Sequence, residues 1–259
     1  VNVFISGQGT FAVMVADMLV KTGNRIVGTA SPRTKKGRES SADGQADWDR
    51  LRTWAMRRSI PWVPAPDLRA RFVPDGTDII IAAHSHAFLG QATRARARLA
   101  AIGYHPSLLP LHRGRDAIRW TIRDGDRVTG GTVYHLTDRT DGGPIAAQEH
   151  VLVPRNATAE SLWRDHLAPL GVALLVRVVD DLANGRRIEV RQDERLATWE
   201  PAMDVPPLFK PELIALPGRL SAVDGCRWSL IDGGYRREAT FEETPTFAEI
   251  AKEVATNTG

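Results

Sequence analysis

The sequence predicts an α/β fold built on an open, mostly parallel sheet with an antiparallel hairpin extension and a small C-terminal tail region. Three observations predict it. Strand-like and helix-like segments alternate over the first hundred residues, the pattern of a sheet covered by helices on both sides. Residues 77–83 are isoleucine-rich and apolar at consecutive positions, as in strands buried on both faces. Residues 129–136 and 144–153 are two further strand-like runs joined by turn residues, which reads as a hairpin attached to the parallel core.

Taken in order, residues 1–5 form an apolar first strand, and Gly7-Gln8-Gly9 turns the chain into a helix over 11–21. Residues 25–30 supply the second strand. Residues 31–47 have no apolar period and are predicted to be a mobile loop. The spacing of Trp48, Leu51, Trp54 and Ala55 then predicts a helix over 48–58. Residues 60–63 suit a short edge strand, since Pro61 could not serve a central one. After the core strand, another strand ends near Ile102, and residues 117–124 continue as a helix. Thr158 is placed to cap a helix with Glu160 and Asp165 near its positive end. Apolar positions then run through Leu162, Leu167, Leu170, Leu174, Val178 and Leu182 until Asn184-Gly185 stops it.

Beyond Thr198, Pro201, Pro206, Pro207, Pro211 and Pro217 interrupt any long element. The expected division is a catalytic domain over 1–198, then a linker and small C-terminal subdomain over 199–259. Within the latter, residues 227–235 read as a hairpin with an Asp-Gly turn and residues 247–254 as a short helix.

A chain of 259 residues can bury a sizeable core without covalent staples. Its single cysteine, Cys226, excludes an internal disulfide and suits a reducing cytoplasm. No apolar run approaches the roughly 20 residues a membrane helix needs, and the start lacks an export-signal pattern, so a cytoplasmic protein without a membrane partner is expected. The net charge of +3 permits anionic partners without demanding them. Arg94, Arg96 and Arg98 read as a solvated helix face.

Two loops carry the chemistry. His105 precedes Pro106, which lacks an amide hydrogen and biases its predecessor toward extended geometry, so the histidine is expected outside any paired strand, at a strand exit. Asp141 lies in an Asp-Gly-Gly-Pro run that cannot continue regular structure. Facing each other, they would form an acid/base pair; spacing alone equally allows a structural histidine tied to a loop carboxylate. Gly7-Gln-Gly-Thr-Phe-Ala12 has dinucleotide-binding spacing, but no acidic residue follows the second strand, and only Arg33, Lys35 and Lys36 stand ready for a phosphate. His84, His86 and His105 have no metal-ligand signature, so no metal is expected. Ser107 is expected to bond backbone in its turn rather than to attack a substrate. His112, His135, His150 and His166 read as surface or half-buried residues.

The run His105-Pro-Ser-Leu-Leu-Pro110, with Arg113-Gly114, Trp120, Gly125, Thr129-Gly130 and Asp141-Gly-Gly-Pro-Ile145, closely resembles the folate-dependent formyltransferase family. That family includes methionyl-tRNA formyltransferases, glycinamide ribonucleotide formyltransferases and sugar-amine formyltransferases. Among these, the chain looks most like the hydrolase domain of 10-formyltetrahydrofolate dehydrogenase, through Tyr-His-Pro-Ser-Leu-Leu-Pro and His-Arg-Gly. The likeness covers roughly residues 1 to 200 and implies a Rossmann-like sheet.

By this resemblance the family's asparagine, histidine and aspartate fall on Gly103, His105 and Asp141. Gly103 is a departure, because it has no side-chain donor for the oxyanion, and such a donor is worth about 2.7 to 4 kcal/mol in other enzymes. A backbone amide, His105 as imidazolium, bound water or the substrate would have to supply that function. The resemblance also implies that the pterin-like ring of 10-formyltetrahydrofolate sits against two loops. One comprises Ala83, His84, Ser85, His86, Ala87, Phe88 and Leu89; the other comprises Thr137, Asp138, Arg139 and Thr140, leading into Asp141. The implied activity is formyl transfer to an amine acceptor, with hydrolysis by water as the alternative. A tRNA acceptor is disfavoured by the short, proline-broken tail. A non-catalytic folate-binding protein and a nicotinamide-dependent oxidoreductase are the remaining readings.

Overall fold

The computed structural model describes residues 1–32, 49–85, 87–200, 202–203, 227–231 and 234–238, the last two segments by their backbone pairing alone. In chain order the elements are β1 (Asn2–Gly7), α1 (Gly9–Lys21), β2 (Arg25–Ser31), α2 (Arg50–Arg57), β3 (Trp62–Pro64), β4 (Ile79–Ala83), α3 (Gln91–Arg94) and β5 (Ala100–His105). They continue with α4 (Ala117–Arg123), β6 (Val128–His135), β7 (Ile145–Leu152), α5 (Ala159–Leu162), α6 (Ala168–Ala183), β8 (Arg227–Ile231) and β9 (Gly234–Glu238).

One seven-stranded sheet has the order β3-β2-β1-β4-β5-β6-β7. It is parallel from β3 to β5 and antiparallel from β5 through β7, so the expected α/β fold with its hairpin extension is present. The alternation of strand side chains divides the core between the two faces. Val3, Ile5, Ile79 and Ile81 join one apolar cluster with α1 and α6, whereas Phe4 and Ile80 join a second with Leu68, Val73 and Leu89. Each such side chain, fully buried, stabilises the fold by roughly 1.5–3 kcal/mol. β3 lies at the sheet edge, where Pro61 and Pro64 do not deprive an inner neighbour of ladder bonds.

The helix capped by Thr158 is interrupted. Thr158 and Ser161 form a reciprocal capping box for α5, after which Trp163–Leu167 is a π-helical turn leading into α6. Pro169 stands just beyond this turn and has no N–H for the regular ladder. The Tyr104 hydroxyl donates to the Leu167 carbonyl at 2.7 Å, tying the turn to β5.

Several boundaries differ from the sequence expectation. Ser31 is buried inside β2, where its hydroxyl accepts from the Trp62 indole, so the irregular segment cannot begin there. From Arg33 onward that segment, with Lys35 and Lys36, lies outside the described residues. The three arginines are not a solvated helix face. Only Arg94 belongs to α3, and Arg94, Arg96 and Arg98 pair with Asp138, Asp75 and Asp78 respectively. β8 and β9 pair antiparallel with Ile231 opposite Gly234, whereas residues 204–226 and 239–259, including the expected final helix, lie outside the described residues.

Candidate active site

His105 is the last residue of β5 and pairs with Thr132 of β6. It is at a strand exit, yet still within the ladder, which corrects the expectation that it stands outside a paired strand. Pro106 lacks only its own amide; His105 keeps both backbone groups, and the extended geometry imposed by proline is what a strand end adopts.

The side chain of His105 is fixed at both nitrogens. Its Nε2 lies 2.7 Å from the carbonyl oxygen of His112. A carbonyl can only accept, so Nε2 carries a proton, and in the neutral ring Nδ1 presents its lone pair. Nδ1 faces Asp141, 3.7 Å from Oδ2. That separation exceeds a direct hydrogen bond. The His112 carbonyl therefore sets the tautomer, and Asp141 acts through space on the other nitrogen. His105 and Asp141 keep only 6% and 9% of their surfaces exposed. Charges so buried interact more strongly than in water.

Asp141 is itself held in place. Oδ1 accepts from the Tyr134 hydroxyl at 2.7 Å and Oδ2 from the Gly114 amide at 2.9 Å. Its backbone carbonyl and that of Gly143 accept from Gln192 Nε2, both at 2.7 Å. Gly143 must be glycine, because a Cβ there would lie 1.7 Å from the His135 carbonyl oxygen. Gln192 is in turn oriented by Arg113, a fully buried arginine that also forks onto both carboxylate oxygens of Glu194.

His112, expected to be a bland residue, is central. Its Nε2 donates to Asp126 at 2.8 Å, and its Nδ1 lies 3.2 Å from Oε1 of the buried Glu200, an ion pair without an aligned hydrogen bond. Burial alone would push this imidazole down, but contact with Glu200 and Asp126 outweighs that and raises it to about 9. The ligand atoms of His112, Asp124 and Glu200 lie within 4.8 Å of one another. At neutral pH the imidazolium is itself the cation these carboxylates face. His84, His112 and Asp141 all adopt positive φ, three of the four non-glycine residues to do so among those described. Backbone strain is thus concentrated around this site.

The two loops expected to receive the pterin ring lie close together. Arg94 joins them, donating to the Leu89 carbonyl on one and pairing with Asp138 on the other at 2.7 Å. Ala83 belongs to β4 rather than to the loop, a correction, since Gly7 and Ala83 continue the β1–β4 ladder. His84 is exposed, Ser85 bonds the hydroxyl of Ser6, Ala87 is half-buried, Phe88 is 68% exposed and Leu89 is buried. His86 lies outside the described residues. Thr137 closes a turn onto Arg139, Arg139 pairs with Glu194, and Thr140 is exposed.

Gly103 lies on β5 opposite Tyr134. Ser107 donates to the Leu111 carbonyl, the expected turn contact. The Gly9 amide at the start of α1 donates to the Asp49 carboxylate at 2.8 Å, so in this structure a side chain fills the place a pyrophosphate would need. His135 is buried on the Ile188 carbonyl, and burial lowers its basicity. Sequence reasoning missed Tyr134, Gln192, Glu194 and Glu200; the last three act across a long chain separation that no local motif signals, and Tyr134 reads as an ordinary strand residue.

Comparisons with known proteins place this geometry. The family model described as Formyl transferase matches residues 1–179. The mitochondrial 10-formyltetrahydrofolate dehydrogenase of Mus musculus is 30% identical over 195 residues, covering 75% of this chain and 21% of that protein. Methionyl-tRNA formyltransferase of Chloroflexus aggregans is 33% identical over 203 residues, covering 76% of this chain and 64% of that protein. The chain thus spans about a fifth of the length of the dehydrogenases it matches. Among solved structures, an N-formyltransferase from Helicobacter canadensis, in complex with folinic acid and dTDP-3-aminofucose, has a TM-score of 0.62 at 16% identity, covering 78% of this chain and 71% of that one. Glycinamide ribonucleotide transformylase 1 from Symbiobacterium toebii has a TM-score of 0.58 at 21% identity, covering 74% and 94%.

Proposed function

Since the chain belongs to the formyl transferase family, we propose that it moves the formyl group of 10-formyltetrahydrofolate to a small amine, with His105 and Asp141 managing the protons. The observation that carries this reading is the meeting of His105 and Asp141, 36 positions apart in the chain, across 3.7 Å with both residues buried. The family's chemistry requires such a pair, and the names of the dehydrogenase relatives supply the donor.

The amine nitrogen adds to the formyl carbon, opening the carbonyl to a tetrahedral oxyanion. His105 with both nitrogens protonated points Nδ1–H at that charge, while Nε2–H stays on the His112 carbonyl. The Asp141 carboxylate faces this nitrogen from 3.7 Å. Collapse returns the carbonyl, breaks the bond to the donor nitrogen and leaves that nitrogen needing a proton, which Nδ1 supplies while Asp141 receives the amine's proton through water. The two clamped loops, 84–89 and 137–140, would hold the pterin ring through their backbone groups, with the exposed Phe88 ring at their edge.

A second reading is hydrolysis of the same donor, with water in place of the amine. The resemblance to the dehydrogenases favours it. Incubation with 10-formyltetrahydrofolate, with and without a panel of amines and unacylated-tRNA controls, separates the readings by mass spectrometry. Formylated amine supports transfer; formate with no dependence on amine supports hydrolysis; neither product overturns both.

A further inference from the structure

We infer that Tyr134, seated opposite Gly103, is the positioning residue that aims the Asp141 carboxylate at His105. The inference deepens the reading above and rests on it for its kinetic consequence, though not for its geometry.

The register of β5 and β6 puts Tyr134 and Gly103 on one face of the sheet, with His105 and its partner Thr132 next along the same face. Gly103 presents no side chain, and the tyrosine ring leans across the space left open. A Cβ at 103 would lie 3.2 Å from two ring atoms of Tyr134 and 2.9 Å from Leu136 Cδ2. The glycine and the tyrosine are therefore two halves of one arrangement: the room made at 103 lets the ring reach the carboxylate. At the far end of the ring, the hydroxyl donates to Asp141 Oδ1 at 2.7 Å, which leaves Oδ2 directed toward His105 Nδ1 and the Gly114 amide.

The direction of the hydrogen bond is settled by the surroundings. Burial, reinforced by the neighbouring carboxylate charge, pushes the phenol far above its usual range, so it stays protonated and can only serve Asp141 as a donor. The other groups facing Asp141 are His105 from β5 and the Gly114 amide. The nearby cations Arg113 and Arg139 both pair with Glu194. Among the described residues Tyr134 is thus the side chain that hydrogen-bonds the carboxylate, and it fixes which way the carboxylate faces. A phenylalanine would fill the same volume and lose only this.

Tyr134→Phe tests the assignment against a packing role. Turnover should fall about 10- to 100-fold at neutral pH, the scale of one hydrogen bond to a charged group, with the KM for 10-formyltetrahydrofolate held within about twofold. A readout independent of activity accompanies it. In protein carrying carbon-13 in its aspartate carboxyls, the Asp141 signal, identified by its loss in Asp141→Asn, should change its chemical shift in Tyr134→Phe, where the hydrogen bond is gone. Gly103→Ala, which crowds the ring but keeps the hydroxyl, should move the signal the same way by less. An Asp141 signal that both variants leave unchanged overturns the inference, even if the wild type transfers formyl groups. A shifted signal in a protein that forms no product upholds it and instead removes the proposed function.

Discussion

At the scale of single residues, the site depends on which nitrogen of His105 is occupied, and that is decided by a backbone carbonyl belonging to His112. The imidazole of His112 is in turn held between Asp126 and Glu200, so its charge anchors the carbonyl that anchors the site. A histidine whose basicity is raised on folding contributes stability that is fully present below its unfolded value near 6.5 and is lost as pH rises through about 9. The urea midpoint of the wild type should therefore fall between pH 7 and pH 9.5. Glu200→Gln should lower the midpoint at pH 7 and flatten this alkaline decline. A variant as stable as wild type at pH 7, with the same decline, would show that Glu200 does not hold the imidazolium.

Among elements, the decisive contacts join segments that are far apart in the chain. Arg113, 1% exposed, reaches Gln192 and Glu194, and Gln192 carries the constraint to the Asp141 loop. Removing one member of a buried, hydrogen-bonded charge pair costs about 3–5 kcal/mol. Arg113→Met should therefore destabilise the fold on that order in urea titration; a loss below about 1 kcal/mol would show that the Glu194 pair is screened like a surface ion pair. The strands themselves followed closely from the sequence, because apolar runs and turn residues act locally: β4, the β6–β7 hairpin and the Thr158 cap all stand where the pattern put them. The π turn before Pro169 and the placement of Ser31 inside β2 were hidden, since both depend on what packs against them.

In the molecule as a whole, the site forms where the parallel strands give way to the antiparallel pair, at the end of β5. His105 and Asp141 were legible because proline and glycine mark their loops. The supporting groups were not, since Tyr134, His112 and Glu200 look like ordinary residues of a strand, a loop and a tail until the fold assembles them. Thr198, Trp199, Glu200 and Met203 contact the 110–116 loop, so the chain past α6 completes the surroundings of the site.

The most direct measurement is turnover of 10-formyltetrahydrofolate, to formylated amine or to formate, by wild type, His105→Ala and Asp141→Asn, with donor binding followed separately by calorimetry. Each variant should lose at least about 99% of kcat, in line with the 10²–10⁴-fold worth of a positioned acid or base, while binding the donor within a fewfold of wild type. Full turnover in either variant, with the protein folded and the donor bound, would contradict the account.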